Sequence, residues 1–182
     1  MTVKSNSLVA IVLIGLLFCL ELNAQDEAGV LREFRDRVQQ YSSLRNQQGV
    51  PNKPSSSPDK LAQQKEEASE KTQQMRPAAK QGDIFTPRIA AYFKKRIEAT
   101  LHGPGGDKII ASLKRAEPLP NVHLEVNAPY PPKLPLQSTP PSLLLNLPQL
   151  PKGLQYRLVG STLVLYDETT RLVVDLIPSA IA

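Results

Sequence analysis

Leu154-Gln155-Tyr156-Arg157-Leu158-Val159-Gly160-Ser161-Thr162-Leu163-Val164-Leu165-Tyr166, continued by Asp167-Glu168-Thr169-Thr170-Arg171-Leu172-Val173-Val174-Asp175-Leu176-Ile177, decides the fold. Aliphatic, β-branched and aromatic residues fill three short runs, at 154–159, 162–166 and 171–177. Gly160-Ser161 is a two-residue turn signal, and 167–170 is a longer polar turn, so the runs read as consecutive antiparallel strands. Leu154, Tyr156 and Leu158 alternate with Gln155 and Arg157. That period of two asks for a cover over one face of the sheet.

Moving toward the N-terminus, the cover is the segment 87–101. Thr86 is a suitable N-cap, Pro87 sits where its missing N–H is harmless, and Phe85 can staple the first turn onto Ala90. Ile89, Ala90, Phe93, Ile97 and Leu101 form one apolar face, which places Phe93 in one core with Leu163 or Leu165. Gly103-Pro104 stops the helix. A shorter helix is expected over 107–115, burying Ile109, Ile110 and Leu113. Val122, Leu124 and Val126 alternate with His123, Glu125 and Asn127, which predicts a further strand. The proline-rich stretch 129–151 is expected to be extended, with one turn of helix at 142–147. The fold class is therefore α+β: residues 83–182 form a small domain, with a three- to four-stranded antiparallel meander packed by one or two helices.

Residues 25–82 read as an extension to that domain. Within 25–46, Val30, Leu31, Phe34, Val38, Tyr41 and Leu44 recur at spacings of three and four, an amphipathic helix whose stripe can meet a partner or the protein's own domain. Gln47 to Pro58 is rich in proline, serine and asparagine. It predicts a flexible linker over 47–82, in part helical after Pro58. With only Leu61, Met75 and a few alanines to bury, that second helix is expected to be loosely attached or disordered.

The first 24 residues have the pattern of a secretory signal. Lys4 precedes an unbroken apolar run, residues 8–20, and Ala24 offers a small residue before the polar sequence that opens at Gln25. A run of that length falls short of the roughly 20 apolar residues a membrane-spanning helix needs. Cleavage after Ala24 would deliver a periplasmic or secreted protein that is not integral to a membrane. It would remove one of the 22 basic residues, Lys4, one of the 17 acidic residues, Glu21, and Cys19, the single cysteine. Phe18 and the position of Cys19 inside the apolar run speak against lipidation. The mature chain keeps the net charge of +5 and folds without disulfides or thiolate ligands.

The run 150–160 (Leu-Pro-Lys-Gly-Leu-Gln-Tyr-Arg-Leu-Val-Gly), followed by Thr162 through Ile177, is similar to the last hairpin of the nickel/cobalt-homeostasis periplasmic proteins. The whole chain, with Gly82 through Pro87 and Pro140 through Pro151, resembles uncharacterised secreted proteins of Gram-negative bacteria. The resemblance implies an envelope location and an α+β fold. It tempts one toward metal binding, but no ligand set carries over.

Chemistry has few candidates. His102 and His123 share no motif, and neither has a carboxylate or second histidine at ligand spacing, so no metal site and no cofactor is expected. No nucleophile elbow is present, and the mature chain has no thiol. Paired carboxylates of the glycosidase kind remain formally open to Glu125, Asp167, Glu168 and Asp175. Asp167-Glu168 reads more simply as a turn, and Asp175 as the polar face of a strand. His102 through Lys108 is glycine-rich but follows a helix and does not end Gly-Lys-Ser/Thr, so it reads as a helix–helix turn. Lys94, Lys95 and Arg96 with Arg88 spread around a helix, which suits at most weak contact with an anionic envelope surface. Nucleic acid is not an expected partner outside the cytoplasm. The expectation is an accessory protein that binds a protein, through 26–45, or the envelope, without catalysis. A periplasmic metal- or stress-homeostasis module and a hydrolase with an illegible site are the alternatives.

Overall fold

A computed structural model describes residues 5–47, 57–115, 123–132, 134 and 139–181, with side chains from Gln25 onward. Five helices precede a three-stranded sheet among these residues: α1 (Ser5–Asn46), α2 (Pro58–Met75), α3 (Pro87–His102), α4 (Gly106–Lys114), α5 (Pro141–Leu144), β1 (Leu154–Val159), β2 (Thr162–Asp167) and β3 (Val173–Ile177). The chain is α+β, as the sequence predicts. The sheet is an antiparallel meander in the order β1-β2-β3. Val159 pairs with Thr162 across the Gly160-Ser161 turn, and Leu163 pairs with Ile177. Between Leu165, opposite Asp175, and Tyr166, opposite Val173, the register slips by one residue at Val174. Such a bulge re-aims the side chains around it.

Helix α3 forms as read. The Thr86 hydroxyl accepts the Ile89 N–H at 3.4 Å, and Ile89, Phe93, Ile97 and Leu101 are buried. Phe93 is fully enclosed, with its ring centroid 5.0 Å from Phe34, 5.2 Å from Phe85 and 5.8 Å from Tyr156. It shares one core with Leu163 and Leu165, which is the packing that the strand pattern called for. The α3–α4 connection is a helix–helix turn. A Cβ on Gly106 would lie 1.8 Å from the Leu101 carbonyl oxygen, so only glycine allows this approach.

Three features depart from the sequence reading. The amphipathic stripe within 25–46 faces the protein's own domain: Val30, Phe34, Val38 and Tyr41 join α3 and the sheet in the main core, while Leu31 and Leu44 are half-buried. The boundary at residue 83 therefore cuts through a hydrophobic core instead of separating a domain from its extension. Second, the loosely attached helix is a full α-helix seated on α1, with Ala68, Ser69 and Thr72 buried. Its anchors are polar, which an apolar-periodicity argument does not detect. Residues 48–56 of the expected linker lie outside the described residues.

Third, the strand expected at 122–126 does not form over 123–126, and Val122 lies outside the described residues. A turn follows at Val126-Asn127, and Pro129 makes an isolated bridge to Leu172. Leu124, Val126, Tyr130 and Leu134 instead lay side chains over the second face of the sheet, against Val159, Val164, Tyr166, Val173 and Leu176. The turn at Val126-Asn127, with Asn127 at φ 64°, and the prolines at 129 and 131 keep this cover irregular instead of letting it form a fourth strand. Both faces of the meander are thus closed.

Candidate functional site

The polar chemistry of the described residues concentrates where loops meet the sheet. Asp167, at the end of β2, has no solvent exposure. Its carboxylate accepts the Tyr41 hydroxyl at 2.8 Å, Arg45 Nη1 at 3.3 Å and the Thr169 N–H at 2.8 Å. Arg45 also donates to the Lys152 carbonyl at 3.2 Å. Tyr41 and Arg45 are four residues apart, one turn along the buried side of α1, so both reach the same acid. Gly153 makes room for the Arg45 guanidinium. It stands at φ +89°, and a Cβ there would lie 2.8 Å from Arg45 Nη1. Burial, reinforced by the Asp167 charge, pushes the Tyr41 phenol well above its ordinary pKa. The phenol is therefore a fixed neutral donor at physiological pH.

Asp175 is equally enclosed but differently held. Its oxygens accept four backbone amides: Gly82 at 3.0 Å, Ile84 at 2.7 Å, Phe85 at 2.7 Å and its own neighbour Leu176 at 2.8 Å. Amides converging on one carboxylate form an anion nest, and here the anion belongs to the protein. The other side of the loop is tied by Arg37, which donates to the Asp83 carbonyl at 2.6 Å. The carboxylate thus fixes the approach to α3 and sets Phe85 against the core.

Asp175 is therefore not on a solvated strand face, and Asp167 is more than a turn former. Both are structural ties. The signal was present in the continuous apolar context: Leu172-Val173-Val174 and Leu176-Ile177 enclose Asp175 without alternation, and a strand apolar on both faces leaves an acid no solvent side. Glu168 accepts the Gln155 amide at 2.9 Å, and Glu125 lies 3.3 Å from His123, whose side chain is 85% exposed. The four acids are thus engaged with separate partners. His102 is exposed at the end of α3, far in sequence from His123. No group of three or more His, Cys, Asp and Glu residues is placed to hold a metal ion among the described residues.

The basic residues of α3 are divided in the same way. Arg88 pairs with Asp26, and Lys95 lies 3.7 Å from Glu27, both acids on α1. Lys94 and Arg96 are half-buried. The sequential triplet does not form a single patch.

One outward-facing region is apolar. A cleft of about 410 Å³ runs between the α5 region and β1, lined by Leu144, Leu147, Leu150, Leu154 and Tyr156, with Gln155 and Arg157 among its polar residues. The Thr139 hydroxyl donates to the Tyr156 carbonyl at 3.0 Å, and the Tyr156 hydroxyl donates to the Pro148 carbonyl at 2.9 Å, so the wall is tied together. Beside it, Leu145 is 86% exposed. Leu143 and Leu147 anchor the same turn in the core, so the exposure of Leu145 follows from the geometry of one short helix. Among the described residues, no helix is long and apolar enough to cross a membrane. No family model, curated protein or solved structure matches the chain.

Proposed function

We propose that this is an exported protein of the periplasm or the extracellular space that acts by binding a protein partner, without covalent chemistry. The observation that carries the binding reading is Leu145, exposed beside an apolar cleft whose walls are pinned from the core. Aliphatic residues at a rigid surface gain from burial at about 25 cal/mol per Å² of apolar area, and here the scaffold leaves them in water. The stripe of 26–45, occupied within the core, is replaced by this surface as the contact region. Export rests on Lys4, the apolar run 8–20 and Ala24, and the intact mass of the exported protein should correspond to a chain beginning at Gln25. A mass that retains Met1 contradicts cleavage.

The binding reading is tested by capture from an envelope extract. Wild-type protein is expected to retain a saturable partner that a folded Leu145→Asp variant does not. Equal capture by both proteins, with equal melting temperatures, would reject this surface.

A further inference from the structure

Helix α2 is held by polar contacts on a seat that does not satisfy it. Of its 18 residues, Ala68 is the only buried apolar one, accompanied by Ser69 and Thr72. The hydroxyls of Ser69 and Thr72 are buried with no hydrogen-bond partner among the described residues. Each gives up water on closure and gains nothing in return, so closure works against that desolvation. The C-terminal end of α2 is fastened through Asn127. Asn127 Nδ2 donates to the carbonyls of Gln73 at 3.3 Å and Arg76 at 2.9 Å, and Gln73 Nε2 donates back to the Asn127 carbonyl at 2.8 Å. Arg76 lies over the Tyr41 ring at 5.1 Å and approaches Asp83 at 3.8 Å. Water can replace every one of these polar contacts.

We infer that α2 is a detachable strap, which leaves and regains its seat on α1 as a unit while α1, α3, α4 and the sheet stay folded. Segments with few buried apolar contacts and replaceable hydrogen bonds open at free energies below that of global unfolding. α1 differs in kind, because its removal would open the core around Phe34 and Phe93. Opening of the strap uncovers the α1 face beneath Ala68 and Thr72 and frees the Tyr41 ring from Arg76. It thereby adds a surface that the closed form hides, independent of the cleft beside Leu145.

Hydrogen exchange of the purified protein, read by mass spectrometry, tests the strap. Amides of α2 should exchange on the order of a hundredfold or more faster than those of β2 and β3. Thr72→Val keeps the side-chain shape and removes an orphan hydroxyl, so it should slow exchange in α2 about tenfold. Asn127 stands at φ 64°. Asn127→Gly therefore removes the side-chain fastening without backbone strain, and it should speed α2 about tenfold. Neither substitution should change the sheet. Protection of α2 equal to that of the sheet overturns the strap, and so does an Asn127→Gly variant that accelerates both equally.

Discussion

α1 enters the core through Val30, Phe34, Val38 and Tyr41, whereas α2 brings to its seat Ala68, Ser69 and Thr72. Both are helices upstream of residue 83, and both lie on the same fold. They differ in what holds them. The α1 stripe recurs at helical spacing and sets Phe34 against Phe93 and Phe85, so its contribution scales with apolar area. α2 relies on Asn127, Gln73 and Arg76, whose hydrogen bonds to protein replace hydrogen bonds to water and so contribute little net free energy each. Helicity alone therefore says little about how firmly a segment belongs to a fold.

The contrast can be broken most severely in the aromatic cluster. Phe34→Ala should cost about 3–5 kcal/mol, the usual cost of truncating a buried ring. A thermal melt of the purified variant reads this directly, and an unchanged transition would remove α1 from the core. Asp167→Asn should cost about 3 kcal/mol, because it leaves Arg45 buried without its counter-charge. Urea denaturation followed by far-ultraviolet circular dichroism measures that loss.

Alkaline pH probes the same seat more gently. Burial raises the Tyr41 and Tyr156 phenols above their ordinary value near 10. The unfolded chain therefore loses these protons at lower pH than the folded chain does. Their contribution is fully present below about pH 10 and is lost as pH rises from there toward the raised folded values. Denaturant midpoints should fall above that pH, and Tyr41→Phe should flatten the decline. A wild-type midpoint that holds constant through this range would contradict the enclosure of both phenols. The smallest effect belongs to the histidines. His102→Ala and His123→Ala should each shift stability by less than about 0.5 kcal/mol, as surface changes do. Loss of a stoichiometric metal from either variant would restore the metal-homeostasis reading.

Much of the architecture was legible where periodicity and turn chemistry agree. The Gly160-Ser161 turn, the Thr86-Pro87 start and the Phe93 face all stand as read. The helix of residues 26–45 was legible too, but a stripe does not name the surface it packs on. Asp167 reads as a turn former and Asp175 as the polar side of a strand because their partners, Tyr41 and Arg45 on α1 and the amides of Gly82, Ile84 and Phe85, lie about 90 to 126 residues away in sequence. Asn127 was read as the outward member of a strand, yet it sits in the left-handed region and caps the end of α2. Its role depends on a contact 54 residues away in sequence, to Gln73, which no local pattern encodes. The cleft was illegible for a similar reason. Leu143, Leu144, Leu145 and Leu147 look equivalent in sequence, and only the placement of one short helix separates the buried Leu143 and Leu147 from the exposed Leu144 and Leu145.

The folded unit includes α1, and the direct test is to express residues 83–182 alone beside residues 25–182. The longer chain should give a dispersed amide spectrum and a cooperative melt. The shorter chain loses Phe34 from the aromatic cluster, and both Tyr41 and Arg45 from Asp167. It should show a collapsed spectrum without a cooperative transition. A dispersed spectrum and a sharp melt from residues 83–182 alone would contradict the account and return α1 to the role of an appended helix.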